Sequence, residues 1–270
     1  TLFSFLYDTE LFTQIPLYLI QIIAMQYKAL QNFKGESLTE EQQKKIYDSC
    51  VDRLSSLSEV ELKEIRNPNF INDVARVMTN FLYNKNQMNE ETIDVIIPKT
   101  KLVLYYSLRC LQSENLEKKI NAINTLNEVF NDIVKYPDEY GTEVYHFLIE
   151  NKVIQILLGE NVHDEVLKRS IPLFHILSQY TNNGSEICLP NFTYDLLWDN
   201  YLNKHESVSS QIENIICNIS NVLPEEKKSL LYNKLKSLSS QIIANSPNNF
   251  FDFVSRLTKE CISPYIPKED

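Results

Sequence analysis

The chain has 270 residues, is 43% hydrophobic and carries a net charge of −10. The hydrophobic share supplies ample core for two globular units or one elongated array, and it argues against disorder as the dominant state. The negative charge repels phosphate backbones and disfavours nucleic-acid binding, and the presence of only four glycines disfavours folds with many tight turns.

An apolar run from Ile15 to Met25 is the first candidate element. It is broken by Pro16 and Gln21 and is too short to span a bilayer core of about 30 Å. No basic residues precede it, so it is not a signal peptide. Since the run is neither a membrane span nor a signal peptide, we expect no membrane partner. Because apolar sequence follows Thr1 directly, we expect the chain to be a segment of a longer polypeptide.

Two helix starts follow in the form of capping boxes, in which two side chains cap each other's backbone amides. The pairs are Thr39 with Gln42 and Ser58 with Glu61. Each pair precedes residues of high helix propensity, so a helix is predicted to begin directly after Thr39 and another after Ser58.

Further along the chain, apolar residues recur in steps of three and four, which places them on one face of a helix. This face comprises Leu116, Ile120, Ile123, Leu126, Phe130 and Ile133. Ser113 is predicted to start this helix and Thr142 the next one. The segment from Thr92 to Tyr106 departs from the helical pattern, because Pro98 interrupts an apolar stretch.

The segment from Asn182 to Phe192 contains both a glycine and a proline and is predicted to be a protruding loop. After it, the stretch from Leu196 to Glu206 holds the only tryptophan of the chain and joins two amphipathic helices. We expect Trp198 to pack between helices. The run Lys204-His205-Glu206 is predicted to form the corner at which the next helix begins.

Three more apolar faces at helical spacing complete the chain. They comprise Ile212, Ile215, Ile216, Ile219 and Leu223, then Leu231, Leu235, Leu238 and Ile242, and then Phe250, Phe253, Val254, Leu257 and Cys261. Pro224 fits the start of the second of these helices. Because Phe250 to Phe253 places aromatic rings on both sides of the last helix, we expect a neighbouring repeat or a partner to cover it.

Successive helices with one apolar face each and short polar joints are typical of antiparallel helix pairs. Each pair with its joint occupies on the order of 40 residues, the spacing of armadillo and HEAT-like arrays. We therefore predict an all-α fold, an armadillo/HEAT-like α-solenoid of antiparallel helix pairs. It is predicted to extend over residues 1–270 as a single segment of a larger protein.

The sequence contains no recognisable chemical site. Its glycines are too far apart for a phosphate-binding loop, and its cysteines and histidines are too far apart for a paired zinc motif. Cys188 is the one cysteine predicted to lie outside a helix, and without a glycine-rich surround it lacks an oxyanion hole. We thus predict no catalytic residue, no metal ligand and no cofactor, and we assign no binding residue.

The remaining cysteines and the histidines have structural interpretations. The other four cysteines lie in apolar helices and are predicted to be small core residues: Cys50, Cys110, Cys217 and Cys261. His146 and His175 are predicted to be partly buried, whereas His163 and His205 should be solvated at helix starts. Five widely spaced cysteines suit a reducing compartment, so we expect the chain in the cytoplasm or the nucleus.

Three pieces of the chain carry a resemblance to a known family: Leu116 to Asn124, Leu196 to Glu206, and Phe251 to Leu257. Over Leu116 to Glu260 the chain resembles the helical-repeat region of the very large ubiquitin-specific proteases of the fat-facets type. The second piece, with its tryptophan and its Lys-His-Glu corner, is the most specific. Residues 113–262 are thus family-like, and residues 1–112 match no motif but suit a continuing helical array.

Members of this family hydrolyse ubiquitin conjugates with a papain-like thiol centre, and neither its cysteine box nor its glycine-rich histidine box is present here. The resemblance therefore implies a non-catalytic scaffolding or substrate-positioning segment of a large deubiquitinase, whose active site lies elsewhere in the parent protein. The partners it implies are ubiquitinated substrates, adaptors or the parent's catalytic domain.

Two other functions stay open from the residues alone. Solenoid folds serve many binding functions, so one alternative is an armadillo or HEAT-type interaction adaptor unrelated to ubiquitin. The other is a helical enzyme with an unrecognised site, which would need a buried cluster of carboxylates or histidines lining a deep pocket.

Overall fold

The structure is a computed structural model that describes residues 39–67, 69–82, 93–135, 139–160, 162–179, 189–237, 243 and 249–259. These residues form the helices α1 Glu40–Ser55, α2 Glu59–Glu64, α3 Phe70–Leu82, α4 Ile93–Leu111, α5 Leu116–Lys135, α6 Glu139–Glu150, α7 Val153–Leu157, α8 Asp164–Gln179, α9 Asn191–Asn203, α10 Glu206–Ser220, α11 Glu225–Ser237 and α12 Phe250–Leu257. No strand occurs among them, in agreement with the all-α prediction. None of the described helices is long and apolar enough to cross a membrane.

The chain divides into two compact units, Thr1–Thr125 and Leu126–Asp270. In the first unit, α1 and α3 both pack against α4. The first residue of α3, Phe70, lies with its ring 5.7 Å from that of Tyr106 near the end of α4, so α3 and α4 are antiparallel. In the second unit, α10 packs against α8 and α9, and α9 also packs against α11. That residues 1–270 form one continuous segment stays a prediction.

In the first unit, α1 and α4 run in the same direction. The Tyr47 hydroxyl of α1 donates to the Pro98 carbonyl near the start of α4 at 2.9 Å. Arg109, near the end of α4, donates through Nε to the Leu57 carbonyl just beyond α1. The bonded partners are 51 and 52 residues apart in the sequence. Helices α1 and α4 thus stack in parallel with the pair α2 and α3 between them in the chain.

In the second unit, α9 and α11 are likewise parallel. Three side-chain hydrogen bonds join them, from Lys227 Nζ to Asn191 Oδ1 at 2.9 Å, from Trp198 Nε1 to the Leu231 carbonyl at 2.9 Å, and from Lys234 Nζ to Asp195 Oδ1 at 3.0 Å. The bonded partners are 36, 33 and 39 residues apart. This spacing agrees with the predicted repeat, and parallel stacking of equivalent helices is what a solenoid of helix pairs requires.

Side chains of α9 and of its C-cap also bond carbonyl groups at and just beyond the end of α7. Asn200 donates to the Leu158 carbonyl, which follows α7, at 2.7 Å. Four residues on, Lys204 Nζ donates to the Glu160 carbonyl, also at 2.7 Å. Leu158 is the C-cap of α7, and carbonyl groups at a helix end have no partner within that helix. Together with the Lys204 bond, the Asn200 bond therefore holds α9 against the end of α7.

Replacing Asn200 with alanine is expected to lower the free energy of unfolding by about 1 to 3 kcal/mol, because the buried Leu158 carbonyl loses its donor. Asn203→Ala is the matched control, since Asn203 is exposed and bonds only the Asp199 carbonyl of its own helix. Urea denaturation of both variants makes the comparison. Equal losses for the two would contradict a role of Asn200 in joining α7 to α9.

The prediction that the segment around Pro98 departs from the helical pattern is wrong, because α4 continues through this proline. Proline lacks the N–H that would bond the Asp94 carbonyl, which costs a helix about 3 kcal/mol. Tertiary packing offsets this cost. The buried side chains of α4 include Val95, Leu102, Val103, Leu104 and Leu111, and burying each apolar residue contributes about 1.5 to 3 kcal/mol.

The predicted helix starts are confirmed in part. Both capping boxes of α1 and α2 are fully formed. However, α5 is capped by Asn115 rather than Ser113, since Asn115 Oδ1 accepts from the Lys118 amide at 3.3 Å. Helix α6 begins at Glu139, which makes Thr142 its fourth residue and not its cap. Most of the predicted loop before Phe192, and the apolar run at residues 15–25, lie outside the described residues.

Candidate functional site

The tryptophan of the stretch from Leu196 to Glu206 is fully buried where three helices meet. Trp198 of α9 is 0% exposed, and its Nε1 donates to the Leu231 carbonyl of α11. The centre of its ring lies 6.0 Å from that of Tyr201 and 5.9 Å from that of Phe253 in α12. The prediction that Trp198 packs between helices is therefore confirmed.

The Lys-His-Glu run forms the predicted corner. Lys204 is the C-cap of α9, and His205 is the N-cap of α10, where its Nδ1 accepts from the Ser207 amide at 3.3 Å. The Ser209 hydroxyl closes the corner by donating to the Tyr201 carbonyl at 2.9 Å. The imidazole of His205 thus caps a helix, and this structural role accounts for its position without a catalytic role.

A buried carboxylate that the sequence analysis missed lies beside the aromatic rings. Glu213 of α10 is 6% exposed, and its Oε1 accepts from Asn249 Nδ2, just before α12. Its Oε2 lies 3.7 Å from Arg256 Nη2 of α12. Burial raises the pKa of Glu213, and Tyr201, Arg256 and Asn249 oppose this shift. This arrangement is a single carboxylate facing an amide, a phenol and a guanidinium, which suits the attachment of α12 rather than acid-base catalysis.

The last helix has aromatic rings on both sides, as predicted. Phe250 and Phe253 are buried against Tyr201, with ring centres at 6.2 and 5.1 Å. Phe251 points away from them and is 72% exposed. That a further repeat or a partner covers Phe251 stays a prediction.

The thiols in the described part of the chain are core residues, as predicted. Cys50, Cys110 and Cys217 are all buried. Burial raises the pKa of Cys50 to about 12 and that of Cys110 to about 11. Since the thiolate is the nucleophile, neither of these two thiols is activated. Cys188 and Cys261 lie outside the described residues.

Cys50 and Cys110 are expected to resist alkylation by iodoacetamide in the native protein at neutral pH, because they are buried and almost wholly protonated. Both should react once the chain is unfolded in urea. Mass spectrometry of the labelled peptides measures the extent at each cysteine. Complete labelling of either residue within minutes in the native protein would contradict their assignment to the core.

The histidines show no catalytic arrangement. His163 and His205 are exposed and His175 is partly buried, as predicted. The prediction for His146 is wrong, because this residue is exposed: the buried residues of α6 at positions 140, 144, 147 and 148 leave it on the outer face. In the described ranges, no group of three or more His, Cys, Asp or Glu residues could hold a metal ion.

Comparison with protein families identifies the family of this chain. The model of the UBP24/USP9X/USP9Y ARM repeat matches residues 98–266, more than half of the chain. The chain belongs to this ARM repeat family. The resemblance to the helical-repeat region of fat-facets-type proteases is thereby confirmed. No curated protein matched the chain, and no solved structure did.

The ARM repeat match includes all three pieces that carried the resemblance. It begins at Pro98 within α4 and includes α5, the stretch from Leu196 to Glu206 with Trp198, and α12. The segment is therefore a helical repeat associated with deubiquitinases of this family, and the ARM repeat is a non-catalytic domain. ARM repeats mediate protein interactions, so the partner class is protein.

Proposed function

We propose that this ARM repeat is a non-catalytic scaffolding segment that positions ubiquitinated substrates within a large deubiquitinase, whose catalytic domain lies elsewhere in the parent protein. The observation that carries this proposal is the family match over residues 98–266. It favours this function over an adaptor unrelated to ubiquitin, because the family is defined by the ARM repeats of ubiquitin-specific proteases.

The stacking of the helices supports a positioning role. A scaffold must hold its bound partner at a fixed place, and therefore its helices must not shift against one another. In the second unit, α9 is joined to α11 by Lys227, Trp198 and Lys234, and to the end of α7 by Asn200 and Lys204. These bonds hold α9 in place relative to α11 and to the end of α7, which keeps the outer faces of these helices in a constant arrangement.

The surface charge of α9 supports a protein partner. Asp195 and Asp199 point to the outside of α9, with side chains 64% and 59% exposed. A single lysine, Lys234, lies 3.0 and 3.8 Å from their carboxylates, so the two aspartates share one counter-charge. In a chain with a net charge of −10, exposed carboxylates of this kind disfavour contact with nucleic acid and anionic membranes and are compatible with neutral or basic protein surfaces.

The proposal assigns the segment no catalysis of its own. Purified chain incubated with a ubiquitin–fluorophore substrate is expected to release no fluorophore above the rate without protein. A catalytically competent ubiquitin-specific protease serves as the positive control. Turnover that is removed by alkylation or by mutation of any one cysteine would overturn the assignment.

We further propose that the segment acts in the cytoplasm or the nucleus, with ubiquitinated substrates, adaptors or the parent's catalytic domain as partners. The buried, unbridged thiols of Cys50 and Cys110 support a reducing compartment. Imaging of the tagged protein in intact cells tests the location. Accumulation in the secretory pathway would contradict it.

A further inference from the structure

The attachment of α12 to the second unit combines an apolar side and a polar side. On the apolar side, Phe250 and Phe253 pack against Tyr201, and Phe253 also packs against Trp198. On the polar side, α12 meets the buried carboxylate of Glu213 through Asn249 and Arg256. The two sides differ in quality, since the rings are well packed whereas the polar groups are incompletely satisfied.

The polar side leaves several buried atoms without a hydrogen bond. Arg256 Nε and Nη2 have none, and neither has Asn249 Oδ1. The 3.7 Å distance from Arg256 Nη2 to Glu213 Oε2 is too long for a hydrogen bond. The Tyr201 hydroxyl lies beside the carboxylate without completing one. Within the described part of the second unit, an ionised carboxylate here thus accepts a hydrogen bond from Asn249 Nδ2 alone, although it offers about four acceptor positions.

We propose that α12 is a releasable helix whose attachment depends on the charge of Glu213. The helix docks firmly while the Glu213 carboxyl carries its proton, and its attachment loosens when this carboxyl ionises. Release of α12 would expose Trp198 and Tyr201, the apolar face on which Phe250 and Phe253 now lie. This device is independent of the proposed scaffolding function, because it concerns the packing of one helix within the second unit.

The groups that face Glu213 determine the direction of the pH dependence. They are Tyr201 from α9 and Arg256 from α12, and among the described residues α8, which also packs against α10, places no charged side chain against it. Burial outweighs Arg256 and raises the pKa of Glu213. The docked state therefore binds the proton more tightly than water-exposed Glu213 would. Docking is strongest below the ordinary glutamate pKa and weakens as the pH rises through the raised value.

Amide hydrogen exchange of the full chain tests this device. We expect the protection of residues 250–257, relative to that of α10 and corrected for intrinsic exchange, to fall at least about threefold between about pH 5 and about pH 8. Glu213→Gln should keep α12 protected over the whole range. Glu206→Gln, at an exposed position of the same helix, is the control and should behave as the wild type. An unchanged wild-type protection, or an equal decrease in Glu213→Gln, would overturn the proposal.

The single tryptophan supplies a second, independent measurement. Acrylamide quenching of Trp198 fluorescence should increase with pH in the wild type and stay low in Glu213→Gln. Phe253→Ala removes the ring that covers Trp198, so quenching should be high at every pH in this variant. A Phe253→Ala protein that folds but protects Trp198 as well as the wild type does would also overturn the proposal.

Discussion

Replacing Trp198 with alanine is expected to lower the free energy of unfolding by about 3 to 5 kcal/mol. The change empties a fully buried site that is surrounded by Tyr201 and Phe253, and it leaves the Leu231 carbonyl without its donor. Urea denaturation followed by circular dichroism measures the loss. The expected loss is large because the substitution combines a large cavity with the loss of a buried hydrogen bond.

Two further variants separate these contributions. Trp198→Phe keeps an aromatic ring but lacks the N–H, so it should cost less than the alanine variant. Phe192→Ala is the matched control, because Phe192 is an aromatic residue of the same helix that is 37% exposed. A loss well under about 1 kcal/mol for Trp198→Ala would show that the ring is not a packing centre and would reopen a binding role for it.

Replacing Glu61 with alanine is expected to cost about 2 to 3 kcal/mol in the first unit. Glu61 forms an ion pair with Arg53, whose side chain is only 8% exposed, and it also completes the capping box of α2 with Ser58. Without Glu61 the guanidinium stays buried and unpaired. The expected loss is below that for a fully buried pair, because the Glu61 side chain is 34% exposed and water screens its charge.

The pH dependence of stability gives an independent check on Glu61. The Arg53 hydrogen bond lowers the pKa of Glu61 from 4.5 to about 2, so the ionised form stabilises the folded state. This contribution is fully present above pH 4.5 and is lost as the pH falls towards 2. Glu61→Ala should remove this part of the acid sensitivity, whereas Glu64→Ala, at an exposed position of the same helix, should retain it. Identical acid profiles for both variants would contradict the role of the pair.

Local sequence patterns were sufficient to predict much of the fold. The capping boxes at Thr39 and Ser58 depend on residues three apart, and the buried face from Ile212 to Leu223 depends on helical spacing, so no knowledge of tertiary contacts was needed. The role of Trp198 followed for a similar reason. A large aromatic residue near the end of an amphipathic helix, close to a short joint, is most readily buried by packing between helices.

Tertiary contacts decided the features that the sequence analysis missed. Pro98 interrupts a local helical pattern, but the packing of α4 in the first unit outweighs the lost hydrogen bond. From the sequence alone, Glu213 would be assigned to a solvent-exposed helix face. Its burial depends on Asn249 and Arg256, which lie 36 and 43 positions further along the chain. One local signal was available, since Glu213 lies four residues after Ser209 and four before Cys217, both buried.

The most direct test of the proposed scaffolding role compares the proposed parent deubiquitinase with a variant that lacks this ARM repeat. Both proteins are assayed for kcat/KM on a small ubiquitin–fluorophore substrate and on a polyubiquitinated protein. The proposed scaffolding role predicts equal activity on the small substrate and reduced activity on the protein, because a scaffolding segment would position substrates without performing chemistry. Equal loss on both substrates, or no loss on either, would contradict it.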